Sequence, residues 1–153
     1  MKNSMRKVIF VLAAALAIVI DVRADTLSAM VPTGKDPVAI AIDSVTNTIY
    51  VANQGSNTIT EINGANDSAT TVHVDSLPTS IAVNAATNKI YVANAGSGTV
   101  TVINGTNDST TTVSVGTSPV AIAVNQATDK IYVTDSGSNN VTVITGATNA
   151  IAT

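Results

Sequence analysis

The chain contains no cysteine and no tryptophan, and its single phenylalanine, Phe10, lies near the start. Disulfide stapling is therefore excluded, so stability has to come from packing and backbone pairing. Charge is scarce too, at 11% of residues. From Asp25 onward there is no arginine, and three lysines (Lys35, Lys89 and Lys130) face nine acids, a net charge of −6. A basic footprint for nucleic acid or anionic lipid is missing, and base stacking has only three tyrosines to use. No nucleic-acid partner is expected. No stretch from Asp25 on shows a helical apolar period over eleven or more residues.

One long apolar run is present, and it lies at the N-terminus. Lys2, Arg6 and Lys7 precede thirteen apolar residues, Val8 to Ile20, and Asp21-Val22-Arg23-Ala24 follows. This order of charge, apolar stretch and small residues is that of a secretory signal, with cleavage expected after Ala24. The run falls short of the roughly 18 to 20 residues that span a bilayer, so no membrane span is expected after cleavage. Residues 1–24 are thus read as a cleavable signal peptide. The expected location is outside the cytoplasm: periplasmic, secreted or on the cell surface.

The remainder repeats every 41 residues. Pro37, Pro78 and Pro119 open successive copies, and Tyr50, Tyr91 and Tyr132 each follow thirteen residues later. Within a copy, four short runs rich in β-branched residues alternate with Gly, Asn, Asp and Ser clusters, the pattern of hairpin-linked strands. In the second copy these are Ser80 to Asn84, Lys89 to Asn94, Thr99 to Asn104 and Thr110 to Val115. Four short antiparallel strands in about 40 to 45 residues make one blade of a β-propeller. Ile40, Ile81 and Ile122 share one strand face with Ile42, Val83 and Val124, and the opposite face carries Ala39, Ser80, Ala121, Ala41, Ala82 and Ala123. Small residues on that face would let blades crowd together near an axis.

Tyr50-Val51-Ala52-Asn53, Tyr91-Val92-Ala93-Asn94 and Tyr132-Val133-Thr134-Asp135 resemble the motif of the YVTN β-propeller repeats, the third copy departing by Asp for Asn. The surrounding Pro-x-x-Ile-Ala-Val, Thr-Asn-Lys-Ile-Tyr-Val and Thr-Val-Thr-Val-Ile also fit that repeat, over Ser28 to Thr153. The resemblance implies an exported or cell-surface bacterial or archaeal propeller of about seven blades. Its wider group includes quinoprotein amine dehydrogenase-like and lactonase-like propellers, so it implies no single chemistry.

The expected fold is all-β: a propeller segment of three four-stranded antiparallel blades (37–77, 78–118 and 119–153). A leading outer strand lies in 25–36, since Ser28 to Asp36 is in phase with the fourth strands Ala69 to Leu77 and Thr110 to Ser118. Three blades fall short of the about four to eight that close a ring. Either the sequence is a piece of a longer propeller, or two chains pair head to tail as a homodimer and close a six-bladed ring.

Candidate chemistry is sparse. His73, the one histidine, alternates with Val72 and Val74 and is expected to face solvent. There is no Gly-x-Ser-x-Gly nucleophile motif. Glu61, the only glutamate, occupies a position held by Val102 and Val143 in the other copies. There it needs a partner, a shifted pKa, open solvent or a lysine. Asn53, Asn94 and Asp135 recur at the ends of the second strands; they could converge on a ligand at a channel mouth or simply end the strand. The turns Asn63-Gly64-Ala65-Asn66-Asp67-Ser68 and Asn104-Gly105-Thr106-Asn107-Asp108-Ser109 do not have the Asp-x-Asp-x-Asp-Gly spacing of a calcium loop. They read as turn chemistry, so no metal and no cofactor is expected. The function expected from these features is a non-catalytic binding or surface-interaction scaffold for a protein or small-molecule ligand. A lactonase-like or quinoprotein-like enzyme and a gene fragment without independent function are the alternatives.

Overall fold

A computed structural model describes residues 30–151. The expected signal peptide, residues 25–29 and the last two residues lie outside the described part. Three four-stranded antiparallel sheets follow one another along the chain. The first blade is β1 (Pro37–Asp43), β2 (Thr48–Asn53), β3 (Thr58–Asn63) and β4 (Ala69–His73). The second is β5 (Pro78–Asn84), β6 (Lys89–Asn94), β7 (Thr99–Asn104) and β8 (Thr110–Ser114). β9 (Pro119–Asn125), β10 (Lys130–Asp135), β11 (Asn140–Thr145) and β12 (Ala150–Ile151) form the third. Each sheet keeps strand order equal to chain order, as short connectors demand of consecutive hairpins. No helix among the described residues could cross a membrane.

The repeat extends to backbone detail. Each first strand pairs only with its second and carries a bulge just after its opening proline, at Val38, Thr79 and Val120. Proline lacks the N–H that a central strand would require, so an edge strand is where it fits. The fourth strand of the second blade ends at Ser114, one residue before the end expected from its pattern. The Val115 N–H turns instead to the Gly98 carbonyl at 3.0 Å. Left-handed backbone recurs in phase: Asn47, Asn88 and Asp129 in the first connectors, then Asn57, Gly98 (φ 65°) and Asn139 in the second. Asn, Asp and Gly tolerate this region best, which is why those types cluster in the turns.

Period-two alternation gives every blade two unlike faces. In the first blade Ala39, Ala41, Tyr50, Ala52, Ile59 and Val72 lie on one of them and pack against Ile81, Val83, Ile90, Val92 and Ile103 of the second. The second seam repeats the first, with Tyr91, Val100, Val102 and Val113 against Ile122, Val124, Ile131, Val133 and Ile144. Small and tyrosine-bearing faces thus receive isoleucine-rich ones, and the core consists of these two seams. The first strands touch one another from blade to blade, where the alanines keep the approach close.

Residues 30–36 join no sheet. They cross the open face of the first blade, where the Lys35 and Asp36 carbonyls accept N–H bonds from Gly55 (3.0 Å) and Gln54 (2.9 Å). The same pair of bonds ties Ser76 and Leu77 to the second blade and Thr117 and Ser118 to the third.

Candidate functional site

The end of each second strand holds a buried polar cluster. Asn53, Asn94 and Asp135 are 0%, 0% and 1% exposed, so a ligand at the rim would meet turn backbone before these side chains. Asn53 Nδ2 donates to Thr58 Oγ1 (3.2 Å) and Thr60 Oγ1 (2.9 Å), and Asn94 Nδ2 donates to Thr99 Oγ1 (3.3 Å) and Thr101 Oγ1 (2.9 Å). Asp135 has the opposite polarity: its Oδ2 accepts from Thr142 Oγ1 at 2.6 Å. In all three the other polar side-chain atom, Oδ1, is buried without a partner. Each carboxamide or carboxylate clamps the second strand to the third, Asn94 and Asp135 within the seams and Asn53 on the outward face of the first blade beside Gly34.

A carboxylate enters each seam at this level, but from opposite sides. In the first seam it is Asp75, from the loop after β4, whose Oδ2 accepts from Thr99 Oγ1 at 2.7 Å. The Asn94 amide, the Thr99 hydroxyl and the Asp75 carboxylate thus form one donor chain. In the second seam the position of Asp75 is Gly116, and the acid is Asp135 itself. A β-carbon on Gly116 would stand 2.6 Å from Asp135 Cβ, so glycine is required there by close approach. Gly34 holds the same place before the first blade, beside Asn53, and there neither residue is acidic. Sequence reasoning passed over Asp75, although its departure from Gly34 and Gly116 was available as a signal.

Glu61 is half-buried on the face that meets the second blade, opposite Tyr50 in the strand register. Of the surroundings anticipated for it, open solvent and a lysine are not what it meets; its charged neighbour is the Asp108 carboxylate, from the turn between β7 and β8. Burial first, and then Asp108, push its carboxyl above the ordinary carboxylate range. The two acids share a small cleft of about 290 Å³ with Thr48, Asn63, Ser68 and Thr70. Tyr50 is pushed up to about 12, by burial and then by Glu61 and Asp43. Tyr91 reaches about 12 by burial and then Asp129. Both hydroxyls stay protonated at neutral pH. The cleft is suited to retaining a proton between two acids. His73 is exposed and stands apart from them, while Val72 is buried beside it in the chain. Among the described residues no three His, Cys, Asp or Glu side chains gather as a metal centre would require.

No family model matches the chain. No curated protein sequence matches it. Solved structures do. Hydrazine synthase of Kuenenia stuttgartiensis superposes with a TM-score of 0.73 at 22% identity, over 85% of this chain and 38% of that one. The structure of U3-55K and the WD40 repeats of RRP9 each give 0.71 at 11% identity, over 80% of this chain and 39% of theirs. The chain therefore spans about two-fifths of the length of these structures. At such identities the likeness is one of fold: three blades of β-propeller architecture.

Proposed function

We propose that the chain is an exported propeller of the YVTN kind, whose rims serve as a binding or cell-surface interaction scaffold without chemistry of its own. One observation carries this reading. The polar side chains that recur in phase, Asn53, Asn94 and Asp135 with their threonines, are engaged in holding strands and blades together. The rims present turn backbone and mostly short Asn, Ser and Thr side chains, with Asp67 and Asp108 exposed among them, a surface suited to contact. Fold alone does not assign function, so the reading rests on the use of these side chains.

The test combines location with chemistry. N-terminal sequencing of the chain recovered from cells is expected to begin at Asp25, and protease added to intact cells or released periplasm is expected to reach it. Incubation with simple lactones should give no turnover, and metal analysis no stoichiometric divalent ion. A chain retained in the cytoplasm with its leader intact would overturn the export half. Lactone hydrolysis with bound metal would replace the scaffold by a lactonase-like enzyme.

A further inference from the structure

The two seams share one corner design, near the turn that follows each first strand, and charge it in opposite ways. In the second seam Lys89 Nζ donates to the Gly146 carbonyl at 2.6 Å, and Asn84 Nδ2 donates to Asp129 Oδ1 at 2.9 Å. An ammonium and a carboxylate are thus both supplied there by the chain. One repeat earlier, Thr48 stands in the place of Lys89, and Glu61 and Asp108 stand where the second seam has Val102 and Asn149. The first seam has two acids at this corner and no cation among the residues that line it.

A threonine is too short to span the corner as Lys89 does, and the cleft of about 290 Å³ stands between the blades there. Glu61 reaches it from β3 and Asp108 from the turn between β7 and β8, while Thr48, Asn63, Ser68 and Thr70 complete the lining with neutral polar groups. At about 30 Å³ for each water in the liquid, this is the volume of roughly ten waters, room for a short alkyl chain and its head group. A second feature asks for positive charge. Asp43 pairs with Thr48 across the strands, so both side chains lie on the face that meets the second blade. Asp43 is 0% exposed; its Oδ1 accepts from the Val45 and Thr46 N–H groups (2.8 and 3.3 Å), while its Oδ2 is buried with no donor.

We infer that the cleft in the first seam is a binding site for a primary ammonium group, held between the Glu61 and Asp108 carboxylates in the place that the Lys89 ammonium takes one blade further on. Three N–H donors suit such a head group to two carboxylates and a threonine hydroxyl, and charge-assisted bonds of this kind are the strong ones. Among the described residues no third acid closes on the pair as a metal centre would require, and the cation that the fold itself places at this corner is an ammonium. Burial and then Asp108 hold the Glu61 carboxyl above the ordinary range, so the pair by itself keeps a proton. The ammonium brings positive charge in its stead, and that proton passes to solvent as the ligand binds. Around Glu61 stand Tyr50 and Thr70 on the neighbouring strands, Asp43 on the same face and Asp108 from the second blade; Tyr50 stays neutral. Both walls of the cleft belong to the first two blades, so the site is independent of what lies against the outward faces and of what the rims bind.

Titration with n-butylammonium chloride of the chain as the producing cell leaves it, followed by NMR, is expected to move the Tyr50 and Asp108 signals to saturation. The affinity should fall as pH is lowered through the carboxylate range. n-Butyltrimethylammonium, which keeps the charge and loses the N–H donors, should bind at least about tenfold more weakly. Glu61→Gln together with Asp108→Asn should weaken n-butylammonium binding by at least about the same factor. Should that variant fail to fold, Thr48→Lys supplies the test: with the circular dichroism spectrum retained, its built-in ammonium is expected to exclude the added one. N-Acetyl-lysine methylamide distinguishes the sources of the ammonium, because tighter binding than n-butylammonium marks a lysine side chain of a partner protein and weaker binding marks a free amine. Binding of neither probe, or binding undiminished in Thr48→Lys, overturns the proposal. So does calcium that binds in the cleft where the amines do not.

Discussion

The two seams are built from equivalent residues, yet they place their acids differently. The first holds Glu61 against Asp108 at mid-strand and draws Asp75 in from a loop. In the second, Val102 and Asn149 stand where Glu61 and Asp108 would be, and the only acid at the level of the strand end is Asp135, on the strand itself. A repeat architecture needs each unit to fit its neighbour, and the fit at a seam belongs to both blades at once. A substitution on one blade is therefore tolerated when the facing blade, or an adjacent loop, changes with it.

The sharpest way to break the comparison is to give the second seam the acid of the first. Val102 is 4% exposed, and Lys89 on the same face is already bonded to the Gly146 carbonyl at 2.6 Å, so Val102→Glu buries a carboxylate that either stays unpaired or takes that cation from its partner. It is expected to cost about 2–4 kcal/mol by denaturant unfolding. An effect below 1 kcal/mol would show that the seam opens readily to water or that Lys89 turns to the new carboxylate.

Exchanging the acid at the strand end should have a smaller and more diagnostic effect. Asp75→Gly removes the acceptor of the Thr99 and Thr112 hydroxyls (2.7 and 3.3 Å) and is expected to cost about 1–2 kcal/mol. Asn94→Asp alone places two carboxylates around Thr99 and is also destabilising. Together they reproduce the Gly116 and Asp135 arrangement, so the double variant should recover at least about 1 kcal/mol over the sum of the singles. Additive losses would show that the two acids are not alternatives to each other.

The smallest effect is in pH dependence. The Glu61 carboxyl titrates higher in the folded chain than in the unfolded one, so the folded state holds the extra proton. That contribution is complete below the unfolded carboxylate range and is lost as pH rises through the folded value. Stability of the native chain should therefore decline on going from acid toward neutral pH, relative to Glu61→Gln, and the two curves should converge in acid. Glu61→Val should raise stability at pH 7 by roughly 1 kcal/mol through added apolar burial. A native curve parallel to that of Glu61→Gln would mean that neither burial nor Asp108 raises the Glu61 carboxyl.

Much of the fold is legible in the sequence. The phase of Pro37, Pro78 and Pro119 marked the first strands, and the strand registers follow the alternation around Tyr50, Tyr91 and Tyr132. The site was less legible. Asp108 lies 47 residues from Glu61, in what reads as an ordinary turn, and only the packing of the second blade on the first brings them together. Asn53 and Asn94 read as rim residues because the strand ends with them; the structure buries their side chains, Asn94 in the first seam and Asn53 beside Gly34 on the outward face of the first blade, where threonines five and seven residues further along take up the amide protons.

By itself the sequence determined the strands, the division of each blade into an alanine–tyrosine face and an isoleucine face, and the left-handed turn positions that Asn, Asp and Gly occupy. These are local properties, set by backbone sterics and by the two-residue period of a strand. Only the tertiary structure decided which copy of a residue is buried and which acid meets which. Tyr91 and Tyr132 sit in nearly the same local sequence, yet one is fully enclosed and the other 39% exposed. The reason is physical: alternation chooses the face on which a side chain lies, but removing it from water takes a second surface, and here that surface is the neighbouring blade.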